Sequence, residues 1–360
     1  MWDSIKSQRQ QNRRPFVKLA DPNRYVACKW DLTQDHEARE YWVPFFIEHA
    51  RTILRLGVEA AIARGQAKQS ADDRARRCHE HFTEIFTEYL KNPGRHGVVT
   101  ILTLDRWRDQ IFREHGFIDP FIDLKDRENA KMLQLLPAVC RQIDATPDSH
   151  RLRAVIEGVF AGNIFDMGAA ATAGRFLGSS PDFFEIRRTL PARPWLIDDF
   201  DQLEQVWHRK TYRKTIIFID NAGSDFLLGV LPLARWLAMR GTQVVLAANE
   251  YPSLNDMTIH DVRAWWPRIL RAEPSLASLP IESVSTGTGE PLIDLSEVSP
   301  DLNDVSADAD LVIIEGMGRG VESNLDAEFS CDALNIAMIK DAMVAKRTGG
   351  KVFDVVCRFR

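Results

Sequence analysis

Two hydrophobic rhythms divide the chain. Between residues 39 and 143 apolar side chains recur three and four apart, as on one face of a helix: Tyr41-Trp42, Phe45-Phe46, Ile53-Leu54 and Val58, then Phe82, Ile85-Phe86 and Tyr89-Leu90. Asn92-Pro93-Gly94 stops the second run. Further helices are predicted around 102–112, at 128–143 and from Leu152 onward. From residue 215 the pattern becomes short β-branched runs alternating with helical ones. Strands are predicted at 215–219, 243–247, 281–284, 311–314, 334–339 and 351–356. Helices are predicted at 226–239, kinked or starting late at Pro232, at 257–270, disturbed at Pro267, and after Lys340 to about Thr348. Gly241 fits the position just past a helix end. Such alternation with short links means an α/β domain with a mostly parallel, doubly wound sheet. The division is then an extended arm at 1–35, a helical domain at 36–150 and an α/β domain at 151–360, with 177–200 a Pro- and Asp-rich connector.

At 360 residues the chain exceeds one simple core. A net charge of −5 and a pI of about 6.0 argue against a general nucleic-acid binder. Five scattered cysteines without a CxxC pair suit a reducing compartment. No apolar leader precedes Arg14 and no uncharged apolar run is long enough to span a bilayer, so a cytoplasmic protein without membrane contact is expected. Cys78, His79 and His81 could suggest a metal site, but two residues apart on a helix they do not share a face. A solvated helix surface is expected there.

The chemistry lies at the carboxyl ends of the strands, where open α/β sheets place their ligands. Asp220 and Asn221 follow the first strand, and Asn249, Asn255 and Asp256 the second. The Thr286-Gly287 turn, Glu315-Gly316-Met317-Gly318-Arg319 and Lys340 follow the others. Asn163 and Asp166 sit three apart at the end of a small and apolar helix. Oxygen donors without His or Cys suit a hard cation such as Mg²⁺ or Mn²⁺. Glycine-rich turns backed by Arg and Lys suit a phosphate. Individually these features have plain readings: Asp-Asn-x-Gly is a common turn, and Asn255-Asp256-x-Thr258 is an ordinary helix start. Neither a dinucleotide fingerprint nor a Walker loop is present. Their shared edge is what points to phosphoryl chemistry beside a metal.

Asp220-Asn221-Ala222-Gly223-Ser224-Asp225, the Asn249-to-Thr258 segment and the Glu-Gly-Met-Gly-Arg run at 315–319 closely resemble the DUF89 damage-control phosphatases. The likeness is strongest to plant stand-alone members and to the phosphatase domain of pantothenate kinase 4, and no kinase half is visible. It extends to Phe160–Asp166, Arg193-Pro194-Trp195, Ile293-Asp294-Leu295 and Cys331-Asp332. The resemblance implies a three-layer αβα sheet domain, an N-terminal helical domain and a divalent cation, Mn²⁺, Mg²⁺, Co²⁺ or Ni²⁺. It further implies Asp220, Asn221 and Asp256 as metal ligands, Arg319 and Lys340 at the phosphate, and Asn163 and Asp166 on a helix brought to the site. The substrates implied are small phosphorylated metabolites, including 4′-phosphopantetheine or its damaged forms and phosphosugars. The nucleophile is either water activated by the cation or Asp220 itself; water is favoured because Asp220 is committed to the metal. Asn249, Thr286, Gly287, Glu315, Gly316, Met317 and Gly318 complete the expected substrate surface. A regulator that binds such metabolites without hydrolysis is the alternative, although paired carboxylates serve a phosphate binder poorly without a metal. A methyltransferase would need a glycine loop that Asp220-Asn221-Ala222-Gly223 does not provide.

Overall fold

The computed structural model describes residues 13–164 and 183–360. Asp166 lies outside the described residues. Seven strands form one sheet in the order β1-β7-β6-β5-β2-β3-β4. They are β1 Ile197–Asp198, β2 Lys214–Phe218, β3 Gln243–Ala248, β4 Ile281–Ser285, β5 Leu311–Glu315, β6 Asp332–Met338 and β7 Val355–Phe359. All neighbours run parallel except β6 and β7. Leu311-Val312-Ile313-Ile314 is buried throughout, as expected for a strand covered on both faces.

The N-terminal helices are α1 His36–Ala63, α2 Lys68–Lys91, α3 Ile101–Glu114, α4 Ile122–Leu133 and α5 Leu136–Ala145. The single helix predicted at 128–143 is therefore two, with Pro137 in the first turn of α5, where its missing N–H costs nothing. Next come α6 Asp148–Asn163, α7 Phe183–Arg188 and α8 Phe200–Arg209. The segment expected to be a plain connector thus contributes a helix and the edge strand β1. That strand is two residues long, too short to leave an alternation in the sequence. After β2 the chain forms a π-helical turn, Asp225–Val230, then α9 Leu231–Met239, with Pro232 in its first turn as a late start requires. Helix α10, Ile259–Ala272, runs on through Pro267. Helices α11 Pro300–Ser306 and α12 Ala342–Thr348 complete the fold.

Alternating strand residues build two cores. Ile217, Ile219, Leu246, Ile313 and Ile336 pack beneath α6, α8, α9 and α10. Ile216, Phe218, Val245, Val312 and Ile314 face the other way, against Leu302 of α11 and Phe16 of the arm. The arm is strapped down by bridges from Arg14 to Val298 and Leu19 to Phe329. Helices α1 to α3 and the start of α4 share a third core with Leu292, Met317, Ala337 and Ile339, which seats them over the strand ends, whereas α5 packs into the first core. Cys78 belongs to that core and is fully buried, contrary to the solvated surface expected around it. His79 and His81 are half-buried, at 3.2 Å from the Ile47 carbonyl and from His115 respectively.

Candidate active site

Two loops are stitched together where β2 and β3 end. The Ala222 amide donates to the Asn255 carbonyl and the Met257 amide to the Asp220 carbonyl, both at 2.9 Å. With the bridge between Asn221 and Asp256, this backbone pairing brings Asp220, Asn221 and Asp256 side by side. Arg319, from the π-helical turn Gly318–Ser323 after β5, lies between the two carboxylates. It donates to Asp220 Oδ1 and, at 2.7 Å, to Asp256 Oδ2. Burial opposes the guanidinium charge, but Asp256 and Asp220 more than offset it and hold Arg319 ionised. Asn249 donates to Asp256 Oδ2 at 3.1 Å. Thr258 caps α10, as its position allowed.

A deeper layer supports this pair. Glu315 Oε2 accepts the Asp220 amide at 3.0 Å. Asn163, at the end of α6, donates from one Nδ2 to Glu315 Oε1 at 2.8 Å and Asp225 Oδ2 at 2.9 Å, and its Oδ1 accepts the Met338 amide. Asn221 Nδ2 reaches Asp220 Oδ2 and Asp225 Oδ2 at 2.9 and 3.0 Å. Burial, with neighbouring carboxylates, pushes Asp220 and Glu315 well above the ordinary carboxylate range.

A cavity of about 100 Å³ opens onto Asp220, Asn221, Asp256, Met317, Gly318 and Lys340. Its roof is aromatic, from Trp42, Phe45 and Phe46 of α1. Asp105 and Arg108 of α3 close one side, with Arg108 bonded to Asp105 at 2.5 Å, Asp109 at 2.8 Å and Ser253 at 2.9 Å. Burial pushes Asp105 up to about 7 despite the Arg108 partner.

Most sequence-selected residues converge here, with differences in role. Asn163, Asn249, Glu315 and Arg319 stand behind the cavity: Asn249 and Arg319 hold its carboxylates, Glu315 accepts the Asp220 amide, and Asn163 braces Glu315. Gly316 turns at φ +99°, and a Cβ there would overlap the Asp220 carboxylate. Thr286 and Gly287 do not line the cavity. Thr286 pairs with Thr288 at 3.1 Å, and Gly287 packs against Ser299 and accepts from Arg13, because the turn after β4 folds toward α11 and the arm. The sequence reading missed Asp225, Asp105, Arg108 and Glu322. For Asp225 a signal existed in the Asp220-to-Asp225 run, and Glu322 follows Arg319 by three residues in the same turn; Asp105 and Arg108 belong to an element distant in sequence.

The residues fit a metal ion. Asp220, Asp225 and Glu315 offer carboxylate oxygens within 4.8 Å of one another, all buried. Asp225 Oδ1 is also sealed from solvent with no hydrogen-bond partner among the described residues. With Asp256 beside them these carboxylates outnumber the charges of Arg319 and Lys340, and an all-oxygen donor set suits a hard cation.

Fold and site together define a DUF89-type protein, and comparison with known proteins agrees. Residues 47–356 match the damage-control phosphatase ARMT1-like domain, so the chain belongs to that family. It is 42% identical to the damage-control phosphatase At2g17340 of Arabidopsis thaliana over 80% of each chain. It is 34% identical to Arabidopsis pantothenate kinase 2 and 31% identical to the mouse 4′-phosphopantetheine phosphatase, over 96% of its own length in both cases. The chain spans only 41% and 49% of those two proteins. A DUF89 family protein from Pyrococcus horikoshii has the same fold, with a TM-score of 0.64, 18% identity and coverage of 88% of this chain and 96% of that one. Among the described residues no helix is long and apolar enough to cross a membrane.

Proposed function

We propose that the chain is a metal-dependent phosphatase that hydrolyses phosphate monoesters of small metabolites, in a damage-control role. The observation that carries this reading is the cavity edge where Asp220, Asn221, Asp256 and Lys340 meet. Asp220 belongs to the buried carboxylate cluster and, with Asn221 and Asp256, lines the cavity where Asp225 and Glu315 do not, which supports these three as the ligands of a cation that also meets a substrate. When bound, Mn²⁺, Mg²⁺, Co²⁺ or Ni²⁺ supplies Lewis-acid polarisation of the phosphoryl group. Lys340, which lines the cavity, neutralises charge that builds on its oxygens, while Arg319 stands behind and holds Asp220 and Asp256 in place; the low-dielectric site strengthens both effects. Asp220 would hold the cation rather than attack, leaving water as the nucleophile. The aromatic roof accepts the organic part of the ester, and 4′-phosphopantetheine, its damaged forms and phosphosugars are the substrates to test first.

The experiment is hydrolysis of p-nitrophenyl phosphate after chelation, then with each cation restored singly. Activity lost to chelator and regained with a cation is the expected result. Asp220→Ala and Asp256→Ala should each lower kcat by roughly 10²–10³ or more while keeping the native circular dichroism. Near-normal turnover in either variant removes that residue from the site. Tight ligand binding without turnover under any cation would favour the non-hydrolytic regulator.

A further inference from the structure

The turn that carries Arg319 also carries Glu322, which no role above uses. Glu322 lines the cavity together with Asp220, Lys340 and Asp341. Its Oε2 is sealed from solvent and has no hydrogen-bond partner among the described residues. A carboxylate oxygen in that position is costly to ionise, so its charge depends on what faces it. From the segment after β6 come Lys340 and Asp341, from α3 Asp105 and Arg108, from the end of β2 Asp220, and from α1 His49. On its other side Glu322 forms part of a second cavity of about 510 Å³, whose charged residues are Asp21, Arg24, Lys29, Asp326, Glu328 and Arg347.

The acids nearest Glu322 already have donors. Asp341 Oδ1 caps α12, accepting the Met343 and Val344 amides at 2.7 and 3.0 Å, and its Oδ2 accepts the Tyr41 hydroxyl at 2.7 Å. Asp105 accepts from Arg108, and Asp220 from Arg319. Glu322 Oε2 is the oxygen that no such donor meets among the described residues. Burial first, then Asp341 and Asp105, push its carboxyl up to about 8, with Lys340 pulling the other way.

We propose that Glu322 is the general acid that protonates the leaving-group oxygen of the substrate, an inference that rests on the phosphatase reading. The oxygen of the attacking water forms a bond to phosphorus as the phosphorus–oxygen bond to the alcohol breaks. The electron pair of the broken bond stays on the alcohol oxygen, which takes the Glu322 proton. One proton of the water remains on the released phosphate, and the other returns through solvent to the Glu322 carboxylate. Ester and water thus become alcohol and hydrogen phosphate, and Glu322 ends as it began. An aliphatic alkoxide needs this proton; p-nitrophenolate, a stable anion, does not.

The test compares ethyl phosphate with p-nitrophenyl phosphate in the full chain with its cation restored. Glu322→Gln should lower kcat/KM about 10²–10³-fold for the alkyl ester and less than about 3-fold for the aryl ester. Equal losses on both esters, or no loss on either, overturn the proposal. The unsubstituted chain gives a second measurement that does not depend on a variant folding. Its alkyl-ester rate should fall as pH rises through Glu322's range, because the protonated form is the active one, while the aryl-ester rate holds. Parallel pH profiles for the two esters overturn the proposal. Failure of the unsubstituted chain to hydrolyse p-nitrophenyl phosphate under any cation would overturn the phosphatase reading itself, and this inference with it.

Discussion

At Gly316 the backbone takes a φ of +99° while the Asp220 carboxylate lies where a Cβ would project. Both facts demand glycine, for different reasons. A side chain there is strained by about 1–3 kcal/mol and also pushes the carboxylate away from Arg319. Gly316→Ala should therefore lose stability by that amount in denaturant titrations and lose activity about 100-fold, since displacement near 1 Å is that damaging to aligned groups. Gly241 supplies the control. It too has a positive φ, +92°, but a Cβ there meets open space. Gly241→Ala should cost about 1 kcal/mol and leave turnover unchanged. The sequence showed a glycine in both places; only the three-dimensional neighbourhood shows which one guards a carboxylate.

Elements meet the site through one close crossing. Helix α6 passes over the π-helical turn 225–230 at Gly158, Gly162 and Gly229, where added Cβ atoms would meet backbone of the opposite element. At Gly162 the nearest atom is the Ser224 carbonyl oxygen, at 2.9 Å. The next residue is Asn163, whose side chain ties Glu315 to Asp225. Gly162→Ala should cost about 1–3 kcal/mol by overpacking and lower kcat by tilting Asn163, read by thermal unfolding and steady-state kinetics. This level was only partly legible. Buried strands such as Leu311–Glu315 announce themselves as unbroken apolar runs, and their ends located Asp220, Asn221 and Asp256 correctly on one edge. The reversed β7, the two-residue β1 and the turn that carries Glu322 leave no such pattern, because pairing direction and the packing of short elements are settled by tertiary contacts. The Thr286-Gly287 turn shows the converse. It carries the right residue types after a strand, yet the chain there bends toward α11.

In the whole molecule, the helical roof is linked to the loop that carries Asp256 by a buried ionic cluster. Arg108 and Asp109 of α3 both hold Ser253, at 2.9 and 2.6 Å, three residues before Asp256. Ser253→Ala should weaken cation binding about 10-fold, since partners behind a ligand set its orientation. The measurement is the Mn²⁺ dependence of the thermal unfolding midpoint, which reports binding without turnover. A separate long-distance feature is the pairing of β1 with β7, the first and last strands among the described residues. A ribosome making about 5–20 residues per second needs roughly 10–30 s to travel from one to the other. During that interval the edge strand has no partner, and the face that Phe16 of the arm covers is still incomplete. The nascent chain, rather than the finished protein, is therefore the form most exposed to aggregation, and the form with most need of a chaperone.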